Sequence, residues 1–113
     1  MTDERKHLVE IWEAIERIRP YAHRGREFFD SSDLLRTWID NNLHRIREAV
    51  DALPPSVRER SPDVPWEKLV RLGKIMVQDH HGMDSGVILT MLERDLAEVK
   101  AAIERALTGS PRE

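Results

Sequence analysis

A chain of 113 residues, 40% hydrophobic and 35% charged, is long enough for one ordinary core and too short for two, and its balance is that of a folded soluble domain rather than a disordered segment. Cysteine is absent, which excludes disulfides, thiolate zinc sites and cysteine nucleophiles and fits a reducing compartment, so a cytoplasmic location is expected. The formal net charge of −3 gives no overall attraction to nucleic acid, although arginines outnumber lysines 14 to 4, so any such contact must come from a local patch.

No apolar run reaches the roughly 18 residues of a membrane span, and no signal-peptide pattern is present. From Asp3 to His23, Leu8, Ile11, Trp12, Ile15 and Ile18 recur at helical spacing with charged residues between them, which predicts a first helix. Pro20 removes one ladder hydrogen bond, so the last turn should bend or end early. Gly25 then reads as a left-handed stop, with Arg24 and Arg26 as solvated loop charges. Ser31, Ser32 and Asp33 cap a second helix that runs to Leu53 through Leu35, Trp38, Ile39, Leu43, Ile46 and Val50 and ends at Pro54-Pro55. His44 on that helix reads as a surface residue. The stretch 54–65 is a proline-bounded connector with room for one short helical turn.

A third helix begins near Pro65, whose missing N–H costs nothing in a first turn, and Asp63 places negative charge at its positive end. At 100° per residue, Trp66, Leu69, Val70, Gly73, Met76 and Val77 share one stripe, with Arg71, Leu72 and Ile75 off it. An interior glycine costs roughly 1 kcal/mol against alanine, so Gly73 implies a close backbone approach or a notch. Gly82 supplies the stop. Asp84 or Ser85 caps a fourth helix to Leu107, carried by Ile88, Leu92, Leu96, Val99 and Ile103. Met76, Met83 and Met91, near the junction of these two helices, read as core or interface filler. The expectation is an all-α, antiparallel four-helix bundle over 1–108, with a fraying, disordered tail at 109–113.

The run VPWEKLVRLGKIMVQDHHGMD, with PPSVRERSPDVPW and NNLHRIREAV before it and ILTMLERDLAEVKAAIERAL after it, resembles the HepT-like branch of the HEPN superfamily over nearly the whole chain. Members of that branch carry a segment reading approximately R-N-x-x-x-H-D-Y-F-G-x-D, the signature of a metal-independent endoribonuclease. Laid on this chain without gaps, the family Arg falls on Gly73, the Asn on Lys74, the His on Gln78 and the Tyr on His80, while Asp79, Gly82 and Asp84 match. The mechanism that the resemblance implies needs a His to move the proton of a ribose 2′-OH and an Arg to stabilise charge on the phosphate. Gly73 can do neither, and the Gln78 amide does not titrate near neutrality.

Lys74, Gln78, Asp79 and His80 are therefore the candidate catalytic residues. Lys74 and His80 restore a cation and an imidazole at a similar separation, and a helix continuing through this stretch would put Lys74 and Gln78 on one stripe. Against an active centre, lysine lacks the planar fork of arginine at a phosphate, and His80 and His81 read equally as residues of an inter-helix turn. His80, His81, Asp79 and Asp84 match no common metal-ligand spacing, and no metal or cofactor is expected. The resemblance further implies a homodimer that builds one composite RNA cleft, and a small nucleotidyltransferase antitoxin that neutralises the ribonuclease toxin by modifying the motif Tyr, here His80. Two readings stay open: a variant ribonuclease working through Lys74 and His80, or a non-catalytic dimeric module that binds RNA, nucleotide or a partner.

Overall fold

Each periodic segment becomes a helix where the sequence supplies a start and a stop. In the computed structural model, which describes residues 3–80 and 82–108, these are α1 (Asp3–Ala22), α2 (Arg26–Ser31), α3 (Asp33–Ala52), α4 (Pro55–Arg60), α5 (Trp66–Lys74) and α6 (Ser85–Thr108). Single 3₁₀ turns at Val77–Asp79 and Gly82–Asp84 lie between α5 and α6, and the described residues contain no strand. The tail expected at 109–113 and everything expected of His81 fall outside the described residues.

The four longest helices run alternately up and down around one core. On α1, Arg5 donates to the Leu107 carbonyl of α6 (2.9 Å) and Trp12 to Glu104 (3.0 Å), while His23 beyond its end meets Glu93 (2.6 Å), so the two helices are antiparallel. Trp38 near the start of α3 donates to the Arg17 carbonyl near the end of α1 (3.2 Å), whereas His7 and Glu10 near the start of α1 share a cleft with Glu48 near the end of α3, so α1 and α3 are antiparallel as well. Lys68 of α5 reaches Glu98 (2.5 Å) and Asp95 (3.7 Å) of α6. Ile11, Ile15 and Ile18 of α1, Ile39, Leu43 and Ile46 of α3, and Leu92, Leu96 and Ile103 of α6 are fully buried. Each such side chain contributes about 1.5–3 kcal/mol relative to remaining in water.

Ser32 caps α3 as its type suggests, its hydroxyl accepting from the Leu35 N–H (3.0 Å). α1 continues two residues past Pro20. Gly25 has positive φ (101°), but with ψ of 171° it leads into α2 rather than closing α1 in a left-handed turn. The six-residue α2 carries little local signal. It forms because Phe29 is fully buried and because the Arg36 guanidinium, itself buried, donates to the carbonyls of Phe29 (2.6 Å) and Asp30 (2.8 Å) near its C-terminal end.

The expected third helix is the main correction. It stops at Lys74, and Ile75 and Met76 are extended (φ −75°, ψ 137° and φ −115°, ψ 98°). Leu72, read as off the apolar stripe, is buried, whereas Met76, read as on it, is 53% exposed. Met83 is 92% exposed, so of the three methionines only Met91 packs against the core.

Candidate functional site

The helix break has no glycine or proline to explain it; its cause is a carboxylate on another helix. Asp40 lies on α3 between the core residues Ile39 and Leu43 and is buried. It accepts the backbone N–H of Val77 (2.5 Å) and of Gln78 (3.2 Å). Those two donors would otherwise bond carbonyls within α5, and a buried charged acceptor offers them a stronger partner. The bite turns Val77 fully inward and sets Gln78, Asp79 and His80 in a 3₁₀ turn and its cap.

A second carboxylate holds the far end of the same segment. Asp30, at the end of α2, accepts from the Gly82 N–H (2.9 Å) and shares the single proton of the Ser85 hydroxyl (3.1 Å) with the Gly82 carbonyl (2.7 Å). Gly82 has φ of +76°, a left-handed conformation that a side chain would strain. Residues 77–85 are thus pinned at both ends by carboxylates from α2 and α3.

Burial pushes the Asp40 carboxyl above its ordinary value of 3.8, and the nearby negative charge of Asp79 pushes the same way. The two backbone N–H bonds and the positive charge that His80 acquires on protonation oppose that rise without cancelling it. Asp79 and His80 are therefore both near enough to act on the Asp40 carboxyl. Gln78 is tethered across to α3, its side-chain amide donating to the Thr37 hydroxyl (2.7 Å). The pinned segment carries the Gln78 amide, which can form hydrogen bonds but cannot take up a proton, and the His80 imidazole.

Gly73 and Lys74 lie on the other side of the break. A Cβ on Gly73 would stand 2.6 Å from the Arg47 Cβ and 3.0 Å from the Arg47 Cα, so the glycine is a contact surface for the α3 backbone. Position 73 has no room for any side chain while α3 and α5 pack as they do. Lys74 lines a concavity of about 290 Å³ with Arg47, Asp51, Arg58 and Val70. The structure thus brings Gln78, Asp79 and His80 together and leaves Lys74 in a separate basic cluster; the expected shared stripe of Lys74 and Gln78 does not exist, because the helix ends between them.

Asp40, Thr37, Asp30, Arg47 and Arg58 were not singled out from sequence. Asp40 left no trace in the pattern, because its neighbours at helical spacing, Arg36, Thr37, His44 and Arg47, are polar and read as an exposed helix face. Exposed apolar residues collect around the pinned segment. Met76 precedes it, Met83 lies within it, Val87 follows it on α6, and Leu34 and Trp38 sit at the start of α3. Leu34 and Trp38 line a concavity of about 410 Å³ with Tyr21, Phe28, Asn41 and the same Thr37 that tethers Gln78. His44 is exposed beside Glu48 (3.5 Å). No helix among the described residues is long and apolar enough to cross a membrane.

The sequence profile of a family described as ribonuclease HepT-like matches residues 11–106. The chain is 26% identical over 76 residues to a provisionally assigned RNase of Methanocaldococcus jannaschii, covering 67% of this chain and 70% of that protein. It is 24% identical over 100 residues to a provisionally assigned ribonuclease HepT of Thermococcus cleftensis, covering 88% of this chain and 91% of that one. No solved structure matches it significantly.

Proposed function

The chain belongs to the ribonuclease HepT-like family, and from that membership we propose that it is a member that still engages single-stranded RNA as a dimer but has lost most or all of its cleavage chemistry. The observation that carries this reading is the closed contact at Gly73: the family Arg position is filled by the α3 backbone, so the phosphate-stabilising guanidinium cannot be present there. Position 78 offers only an amide committed to Thr37, which can hold a substrate oxygen but cannot take the 2′-OH proton. A variant centre built from Lys74 and His80 gains no support from a geometry that places Lys74 in a concavity with Arg47 and Arg58 that His80 does not line.

The second copy of this chain is the partner favoured by the apolar residues around the segment, since Leu34, Met76, Met83 and Val87 are exposed on or beside it and would pair with themselves across a two-fold axis. The toxin–antitoxin role belongs to the same reading. A small nucleotidyltransferase would remain a binding partner while the usual modification of a motif Tyr is ruled out by His80.

Purified protein incubated with a single-stranded RNA should retain it without shortening it, and light scattering should give a dimer mass. Met83→Glu, which sets like charges against each other across the axis, should give the monomer. Cutting by wild type that His80→Ala abolishes would overturn the loss of chemistry, and a monomer in the wild type would overturn the assembly.

A further inference from the structure

The contact that closes position 73 is made by the base of an arginine. Because Gly73 carries no side chain, α3 approaches until Arg47 stands directly over it, and Arg58 from α4 and Lys74 from the end of α5 line the same concavity. Three cations from three helices meet there with one carboxylate, Asp51, whose contact with the Arg47 Nε is 4.0 Å, the outer limit of an ion pair. Both of those side chains are half exposed or more, so the pairing leaves the Arg47 charge largely available.

Several other cations of the molecule are neutralised. Lys68 is held by Asp95 and Glu98, Lys100 by Glu16 and Glu104, and the buried Arg36 by Asp33. Among the described residues neither Arg58 nor Lys74 has an ion-pair partner. Arg58 instead lies over the Trp66 ring at 5.9 Å, which supports its side chain without consuming its hydrogen-bond donors. A local charge of +2 is therefore held in a concavity of about 290 Å³ on a chain whose net charge is −3.

We propose that Arg47, Arg58 and Lys74 form a phosphate-binding site for the backbone of single-stranded RNA, in which Arg47 on α3 supplies from across the helix interface the guanidinium that position 73 cannot carry. The site rests on the reading of the chain as an RNA-engaging protein, and it sets where the strand runs. Arg47 is seven residues from Asp40 along α3, about 10 Å at 1.5 Å per residue, so a strand held at Arg47 passes along the α3–α5 groove toward Gln78 and His80. Planar guanidinium forks suit phosphate oxygens and Lys74 adds a point charge, a combination that holds backbone without reading sequence.

The test is binding of a fluorescently labelled oligouridylate to the full chain across a salt series. Arg47→Gln, Arg58→Gln and Lys74→Gln should each weaken binding several-fold, and the triple variant should lower the slope of log affinity against log salt by about 2, as expected for three single-strand phosphate contacts. Asp51→Asn should tighten binding about two- to five-fold, a gain that damage to the fold cannot produce. Lys6→Gln, on the exposed side of α1, should leave binding unchanged. RNA binding by the wild type with an unaltered slope in the triple variant would overturn this inference alone. No RNA binding by the wild type would overturn it together with the functional reading, and retention of ATP in place of RNA would overturn the strand assignment.

Discussion

Replacing Gly73 with alanine tests whether the glycine exists for close packing or for backbone freedom. The residue is helical, so alanine should gain up to about 1 kcal/mol of helix propensity if nothing opposes it. Opposing it, the new methyl group would lie 2.6 Å from the Arg47 Cβ, 3.0 Å from its Cα and 3.3 Å from its backbone nitrogen. Two of those three atoms are backbone, so the strain cannot be relieved by a rotamer change and α3 must move away from α5. Overpacking of this kind costs about 1–3 kcal/mol, and backbone involvement places this case in the upper half of that range. The net loss is about 1–2 kcal/mol, which for a domain of this size lowers the melting temperature by roughly 4–10 °C. Differential scanning calorimetry of wild type and Gly73→Ala at one pH reads this directly. An unchanged or raised melting temperature would refute the close-packing argument, because propensity alone would then be acting. Gly73→Arg, which supplies the arginine that the motif resemblance implies at this position, should be more destabilised still and should not recover RNA cleavage.

Asp40→Ala leaves the Val77 and Gln78 N–H groups without their acceptor and should cost about 2–4 kcal/mol, read by urea unfolding, with faster amide exchange at both positions. Asp40→Asn keeps an acceptor and removes the buried charge, so it isolates the titration. Because burial raises the folded-state value of Asp40 above 3.8, the folded chain binds this proton more tightly than the unfolded one. Its contribution to stability is therefore complete below about 3.8 and is lost as pH rises through the raised value; wild type should lose stability relative to Asp40→Asn over that interval, and parallel pH profiles would contradict the assignment. Gly82→Ala meets no neighbour within 4 Å but carries φ of +76°, so it should cost about 1–2 kcal/mol through backbone strain alone.

The long helices were legible because their information is local. Leu8 through Ile18 and Ile88 through Leu107 repeat at 3.6 residues, and Ser32 and the Pro54-Pro55 pair mark their limits in the residues themselves. What was illegible was stored elsewhere in the chain. Nothing between Lys74 and Val77 announces that α5 stops, because the stop is Asp40, 37 residues before Val77. Extending the helical stripe through the break therefore misassigned Met76 and Leu72 and put Lys74 beside Gln78. α2 is the complementary case: Phe29 and Arg36 create a helix where six residues alone would not form one. At Gly73 the sequence signalled a close approach without naming what approaches. The answer, Arg47, also identifies the basic cluster that a motif comparison at position 73 leaves out of view.

The interruption after Lys74 separates two parts of the chain that an unbroken helix would lock in phase. In a continuous helix, one added residue turns everything downstream by 100° about the axis and carries each side chain to another face. Here the downstream residues take their orientation from Asp40 and Asp30, so a single alanine inserted between Ile75 and Met76 should bulge outward and leave Gln78 on Thr37. Spacer length in chains built this way is consequently free to drift by a residue under selection, and counting positions between two motif letters is a poor guide to which side chains end up as neighbours.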